Sequence, residues 1–388
     1  MILDTPYPDD ARITNQCEEL IKAKNEVFLF CLSYNKEFLK TEAVNQIEIR
    51  RYYCSNVVYK LSALANDNKL YGKFLIKKIV DFIETNNVEI LHIHDIQIAE
   101  AAISAANKFG IKYNLDLHEN RPEIMKFYKH VNSFLGKLLI SPVRWKRAEE
   151  LFVKKANKVI VVTEHAKKEL LKRVPINQNK IIIYPNTVRK SFYERLNKNI
   201  GLKKKYINNF VMLYVGNTSK RRGLITVINS LTNLEKSIPN IKLVILGKSS
   251  FDLVLHKKIK ENNVQHLVDF VGWVKESEIC TYLSISKLGI SPLHKNIHHD
   301  TTYANKVFQY ISFGCPVISS DVIAQAELVK KYNVGLVFKD RDELDFTKKV
   351  IRMYDEKDLY GQLKKNCKKA IHKLNNSVIS KQLISIYE

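Results

Sequence analysis

The sequence predicts an α/β protein made of two doubly wound parallel-sheet domains in succession. Three observations predict it. Short β-branched apolar runs alternate with stretches of helical period, the pattern of parallel strands joined by helical crossovers. The alternation lapses after residue 187 and resumes near Phe210. At 388 residues the chain is also long for a single core.

In chain order, 26–32, 88–93, 111–117 and 158–162 read as strands of a first sheet, with helices over 11–23, 72–84 and 99–109. A second set of strands covers 210–215, 242–246, 268–271, 288–291, 316–319 and 335–338, with helices over 224–234, 251–262 and 277–286. The tail reads as helices over 344–354 and 359–374 and a last segment over 378–387. The expected domains are 1–187 and 205–370, with a basic, aperiodic linker at 188–204. Residues 371–388 are expected to pack back on the first domain.

Composition bounds the function. Hydrophobic content of 45% and aromatic content of 10% suit a folded globular chain. No run of 18 apolar residues occurs, and the N-terminus lacks the layout of a signal peptide. The six cysteines are scattered with no Cys-x-x-Cys pair, which suits reduced thiols in a cytoplasmic protein and speaks against zinc. The net charge of +23 is uneven: residues 101–222 carry 27 Lys and Arg against 8 Asp and Glu. Such a block suits an anionic partner such as a membrane surface on the inner face, or follows from a lysine-rich composition. No nucleic-acid motif accompanies it, and no nucleic acid is expected.

The most informative stretch is Asn305-Lys-Val-Phe-Gln-Tyr-Ile-Ser-Phe-Gly-Cys-Pro-Val-Ile-Ser319. Val307, Phe308, Tyr310 and Ile311 share a helical face, Gly314 stops the helix, and Val317 opens a buried strand. Lys306 in the first turn opposes the helix dipole, so an anion is expected to compensate it. Gly216-Asn-Thr-Ser-Lys-Arg-Arg-Gly223 also follows a strand and precedes a helix. Its glycines admit close backbone approach, and three cations sit at its mouth. It is neither a Walker A loop nor a Gly-x-Gly-x-x-Gly loop; a solvated basic loop is the alternative.

With these segments, Pro8-Asp-Asp-Ala-Arg-Ile13, His92-Ile-His-Asp95, Asp116-Leu-His-Glu119, Val159-Ile-Val-Val-Thr-Glu164, Tyr184-Pro-Asn186 and Val271-Gly-Trp-Val274 occur in an order that resembles glycosyltransferase family 4. The resemblance spans nearly the whole chain. It implies the GT-B fold, two Rossmann-like domains facing each other across a cleft, and a retaining, metal-independent transferase. The donor would be a UDP- or GDP-sugar, and no permanent cofactor is expected. The acceptor would be a glycan or a lipid-linked glycan, as in cell-surface polysaccharide synthesis.

By resemblance, Arg222 holds the place of the cation that binds the donor pyrophosphate, and Lys306 shares that role. Asn217 stands where a second cation is common, with Lys220 or Arg221 as substitutes. Gly216, Gly223, Gly272, Val274, Thr302 and Asn305 would complete the donor site. Thr301 and Gln309 occupy the two places of the family's usual glutamate pair. An amide grips a ribose diol less firmly than a carboxylate, and the adjacent Asp300 is a substitute. His118 would sit near donor sugar and acceptor. Asp10, Arg12, His94, Asp95, Asp116 and Glu119 would lie on the acceptor side.

His294, His298, His299 and Asp300 invite a metal reading, but a mobile loop rim framing the donor sugar is preferred and no metal is expected. Residues 134–140 and 143–147 mix bulky apolar groups with cations, which suits either a membrane patch or a helix that buries Trp145. Arg50, Arg51, Tyr52 and Tyr53 offer a second acceptor surface. A GT-B nucleotide-sugar epimerase and a degenerate, binding-only member are the alternative functions.

Overall fold

The structure is a computed structural model that describes residues 1–8, 10–64, 69–194 and 199–388. Asp9 of the Pro8–Ile13 motif and residues 195–198 of the expected linker lie outside the described residues. The chain forms two compact units, Met1–Pro185 with Ser380–Glu388, and Asn186–Ile379.

Unit 1 holds seven strands: β1 Phe28–Ser33, β2 Thr41–Val44, β3 Ile47–Tyr53, β4 Ile90–His94, β5 Lys112–Leu117, β6 Lys158–Val161 and β7 Ile181–Ile183. They pair as β1-β3-β2 and as β4-β5-β6-β7. The N-terminal residues join the two sets, because Ile2 bridges Phe30 and Ile93 in parallel register. All pairs are parallel except β2–β3. Ile2, Leu91, Ile93, Leu115 and Val159 make the buried floor of the sheet. Helix Lys69–Asn86 covers it with Leu75, Ile79 and Phe82. Helix Ala99–Phe109 lays five buried alanines, Ala99, Ala101, Ala102, Ala105 and Ala106, toward the same core.

Three of these strands are not legible in the periodicity. β2 and β3 form a hairpin whose two turn residues, Asn45 and Gln46, both take positive φ (51° and 66°), as a type I′ turn requires. Their mixed, half-exposed composition hides them. β7 has only three residues. The hairpin also changes the reading of residues 50–53 as an acceptor surface. Arg51 is buried and paired with Glu42 at 2.6 Å, and Tyr52 donates to Asp81 at 2.9 Å.

Unit 2 holds six strands: β8 Phe210–Val215, β9 Ile241–Leu246, β10 Val268–Gly272, β11 Leu288–Ser291, β12 Val317–Ser320 and β13 Gly335–Phe338. They are all parallel, in the order β10-β9-β8-β11-β12-β13. The order reverses between β8 and β11, the doubly wound switch point where such sheets bind ligands. β8 and β11 pair only through Met212 and Leu213. Beyond them, Tyr310 fills the gap: its hydroxyl accepts from Val215 N–H at 3.1 Å and donates to Ile290 O at 3.2 Å. Gly289 makes room for that ring, since a Cβ there would stand 2.1 Å from it. Helix Asn305–Ser312 is thereby pinned across the switch point.

The stretch read as a linker is part of unit 2. It carries the short helices Lys190–Tyr193 and Ile200–Lys205, and Val188 and Phe192 are buried in the core. At the other end of the chain, short helices Asn376–Ile379 and Lys381–Ile384 straddle the second crossover between units. Ile384 and Tyr387 pack on a core of Leu3, Ile13, Cys17 and Leu29 in unit 1. No helix among the described residues is long and apolar enough to cross a membrane.

Candidate functional site

In unit 2 the predicted donor residues converge at the carboxyl ends of β8 and β11. Gly247 after β9 takes φ 139°, and a Cβ there would lie 1.9 Å from Gly216 O. Its N–H donates to Gly272 O at 2.6 Å. The ends of β8, β9 and β10 are thus packed backbone to backbone. Gly223 takes φ 76°, and its missing Cβ would meet Pro292 O at 1.6 Å, so the 216–223 loop is drawn against the end of β11. Asn217 is spent on that loop, since its Oδ1 accepts from Ser219 N–H at 2.9 Å. Gly223→Ala must therefore shift the loop, and strain of this kind costs about 1–3 kcal/mol or more. A lowered melting temperature together with a lost response to nucleotide is the expected result.

Lys306 lies beneath this loop. Its Nζ is buried, stands 3.5 Å from the centre of the Tyr214 ring and has no hydrogen-bond partner. Gly216 gives it space: a Cβ there would sit 3.7 Å from Nζ. Burial, then the nearby Arg222, holds the Lys306 ammonium well below its usual range. Arg222 Nε is also buried without a partner. Two basic side chains buried near each other without a hydrogen-bond partner favour the arrival of an anion.

Arg221 is turned aside. His299 donates from Nδ1 to His294 O at 2.7 Å, which leaves Nε2 to face Arg221 Nη1 at 3.3 Å. His298 and His299 sit in a helical turn, Ile297–Thr301, and not on an irregular rim. Five residues are too few to show a period, which is why the sequence hid it. Burial and neighbouring groups push His298 down to about 2 and His299 to about 3, so both are neutral. Thr302 donates to His298 O at 2.9 Å and Thr301 to Ile297 O at 2.8 Å. Asp300 accepts through Oδ1 from Ile323 N–H at 3.0 Å, at the start of helix Ile323–Lys331. Gln309 follows Lys306 by three residues on one helix face, and Asn305 is exposed at the helix start. Val274 is half-buried, and the neighbouring Trp273 is 67% exposed.

In unit 1 the residues read as acceptor-side divide into two groups. Asp116 is fully buried at the end of β5, and Arg12 clasps it, with Nε at 3.1 Å and Nη2 at 2.7 Å. Gln16 donates to it at 2.6 Å and His92 lies at 3.3 Å. Burial would raise this carboxyl, but Arg12 and His118 outweigh it and hold it well below the carboxylate range. Arg12 also donates to Tyr184 O at 2.8 Å. Asp10 caps helix Ala11–Lys22 through Arg12 N–H and Ile13 N–H. Asp10, Arg12 and Asp116 are therefore engaged within the protein as scaffold, a role the reading of them as acceptor-side residues did not anticipate.

The second group is mounted on that scaffold. His118 Nε2 lies 2.8 Å from His94 Nδ1 and 3.6 Å from Asp116. Burial disfavours the charged His118 ring, but Asp116 and Asp95 outweigh it and raise its pKa. His94 is held neutral by burial and by the flanking His92 and His118. His118 Nε2 thus carries the proton and His94 Nδ1 accepts it. Sequence reasoning missed Tyr387, whose hydroxyl hydrogen-bonds His92 from 295 residues away. His92, His94 and Asp116 also place ligand-type atoms within 4.8 Å of one another, but the Arg12 guanidinium already balances that carboxylate.

Two family descriptions cover most of the chain. Residues 11–192 match "Glycosyltransferase Family 4", and residues 197–370 match "Glycosyl transferases group 1". The chain belongs to glycosyltransferase family 4. Among curated relatives, the chain is 28% identical over 282 residues to chitobiosyldiphosphodolichol beta-mannosyltransferase of Candida glabrata. That alignment spans 67% of the chain and 61% of the relative, so the chain matches less than two thirds of its length. Among solved structures, sucrose-phosphate synthase from Thermosynechococcus elongatus superposes with a TM-score of 0.79 at 16% identity, covering 99% of this chain and 95% of that one. HepE from Anabaena in complex with UDP gives 0.75 at 13% identity, covering 100% and 98%. The chain has the GT-B fold.

Proposed function

We propose that the transferase moves a sugar from a nucleoside diphosphate sugar, held by unit 2, to a glycan or lipid-linked acceptor, held by unit 1. The observation that carries this reading is the pair of basic groups, Lys306 Nζ and Arg222 Nε, buried without a hydrogen-bond partner at the switch point of unit 2. A diphosphate supplies the charge they lack. As the sugar–phosphate bond breaks, negative charge grows on the leaving diphosphate, and preorganised cations stabilise it without reorganisation. UDP in the HepE complex and the lipid-linked sugar in the name of the Candida glabrata relative support the two substrate classes. Gln309 would hold the ribose by neutral hydrogen bonds. His118, with its proton on Nε2, would orient the reacting sugar. Family resemblance supports a retaining course, and the β-mannosyl product in the relative's name makes the anomeric configuration the point to measure by NMR.

Thermal shift with UDP-, GDP- and ADP-sugars tests the reading. One donor should raise the melting temperature of the wild type. A folded protein that answers to none of them would sink the proposal.

An anionic membrane surface is the proposed site of the acceptor. Helix Phe134–Leu139 buries only Gly136, and leaves Phe134, Leu135, Leu138 and Leu139 exposed beside Val143. Trp145, by contrast, is buried and donates to Ala63 O at 3.1 Å. The exposed Lys129, Lys137, Arg144 and Arg147 are close to it in sequence, and such a mixture seats an amphipathic segment in lipid headgroups. Co-sedimentation with phosphatidylglycerol vesicles, and not with phosphatidylcholine vesicles, is expected. Phe134→Ser with Leu138→Ser should weaken it at least about tenfold, since two large apolar groups leave the interface.

A further inference from the structure

Lys306 Nζ lacks a hydrogen-bond partner, but it has a ring beneath it. Tyr214 stands one residue before the end of β8 and is fully buried. Its ring and its hydroxyl have different partners. The ring face lies against Lys306, with Nζ 3.5 Å from the ring centre. The hydroxyl donates to Asn217 O at 2.5 Å. The next residue, Thr218, is also buried and donates to Asp252 at the start of helix Asp252–Glu261. The loop that ends in Arg222 and Gly223 is therefore tied at its base to β8 and to the helix after β9. The titratable groups within reach of the Lys306 charge are Arg222 from the loop, His299 from the Ile297–Thr301 turn and Tyr214 from β8. On its own helix, Tyr310 turns its hydroxyl to Val215 and Ile290. None of these groups is a carboxylate.

A buried amine binds a proton only where something receives the charge. A carboxylate would receive it, but would also neutralise Lys306 and repel an incoming phosphate. An aromatic ring does neither. Its face attracts an ammonium, most strongly where water is excluded, and the ring itself carries no charge. Burial raises the Tyr214 phenol, so it stays neutral. The hydroxyl, held by Asn217 O, also fixes which way the ring faces.

We propose that Tyr214 is a positioning residue for the donor: its ring face seats the Lys306 ammonium before any anion arrives, and its hydroxyl holds the loop that carries Arg222. The ring is a place-holder for the diphosphate. The seat is a property of the empty protein; only the identity of the anion rests on the donor reading.

Pentafluorophenylalanine in place of Tyr214, set against Tyr214→Phe, tests the ring, because the two side chains share a shape and differ in the charge on the ring face. Both are melted as the full chain without ligand, once with Lys306 present and once with Lys306→Met. At about pH 6 the fluorinated protein should melt about 2–6 °C below Tyr214→Phe, and the gap should be lost in the Lys306→Met pair. Calorimetry with UDP-glucose, GDP-mannose and ADP-glucose from about pH 6 to about pH 9 tests the loop and the link to the donor. Tyr214→Phe should bind a donor about fivefold more weakly than wild type, since one hydrogen bond is lost, with the pH of its alkaline fall in affinity unchanged. The fluorinated protein should show that fall about half a unit to one unit lower. Equal melting of the two ring variants, or a gap of the same size without Lys306, overturns the seat. Donor binding by Tyr214→Phe that equals the wild type overturns the tie to the loop. A gap that depends on Lys306, with no response to any of the three nucleotide sugars, upholds the seat and overturns the donor reading alone.

Discussion

Arg222→Ala is expected to lower kcat/KM by about 10²–10³-fold, which corresponds to about 2–4 kcal/mol of lost transition-state stabilisation. The size follows from where the charge is. Lys306 is buried against the Tyr214 ring and held below its usual ammonium range by burial and by Arg222. Arg222, a guanidinium that keeps its proton, is therefore the permanent charge at this strand end. Without it the leaving diphosphate loses its fixed partner, and the loss should fall on kcat as well as on KM. Lys306→Ala should have a similar effect but a different pH signature. An arriving diphosphate raises the depressed Lys306 pKa, so the wild type takes up a proton as it binds donor. Affinity should accordingly fall as pH rises past the point where the bound ammonium ionises. Calorimetry in two buffers of unequal ionisation enthalpy should show proton uptake in wild type and none in Lys306→Ala. Equal apparent enthalpies in both buffers for the wild type would show that Lys306 is already charged.

Much of this cluster at the ends of β8 and β11 is legible in the sequence, because it is built from local signals. The strands Phe210–Val215, Leu288–Ser291 and Gly335–Phe338 are apolar runs with sharp ends, and their bounds are the predicted ones. Helix Asn305–Ser312 carries its apolar face in eight residues, and its stop, Gly314, follows two residues on. Lys306 is anomalous there even on paper, since a cation at a helix start asks for an anion. What the sequence hides is long-range pairing. Arg12 and Asp116 are 104 residues apart and look like two ligand-facing groups until the fold joins them. Tyr387 and His92 are further apart still. The hairpin of β2 and β3 is invisible for another reason: its strands are half-exposed and carry charges, so no clean alternation marks them.

Arg12→Met is expected to destabilise unit 1 by about 3–5 kcal/mol, the cost of leaving a buried carboxylate without its cation. The side chains of the pair are 4% and 0% exposed, so solvent cannot take the guanidinium's place. For a unit of this size each kcal/mol moves the melting temperature by about 2–4 °C, so a drop on the order of 10 °C should be seen. The pH dependence follows from the same pair. Asp116 is held well below the ordinary carboxylate pKa by Arg12 and His118 against the opposing effect of burial. A carboxyl depressed by folding contributes stability above its unfolded pKa and loses it as pH falls through the folded one, because the unfolded chain binds the proton first. Remove Arg12 and burial dominates, the carboxyl rises above its unfolded value, and the sign reverses: the variant should regain stability as pH falls through that raised pKa, where the wild type loses it. Urea titrations followed by circular dichroism across the acid range would read both effects. Adding Asp116→Leu to Arg12→Met should recover part of the loss, since an apolar pair of similar volume can match a buried ion pair. It should not recover activity, because His118 and His94 would have lost the charge that sets which nitrogen holds the proton. A single variant within about 1 kcal/mol of wild type would mean that Gln16 and the histidines suffice to hold Asp116, and that the scaffold beneath His118 does not depend on the guanidinium.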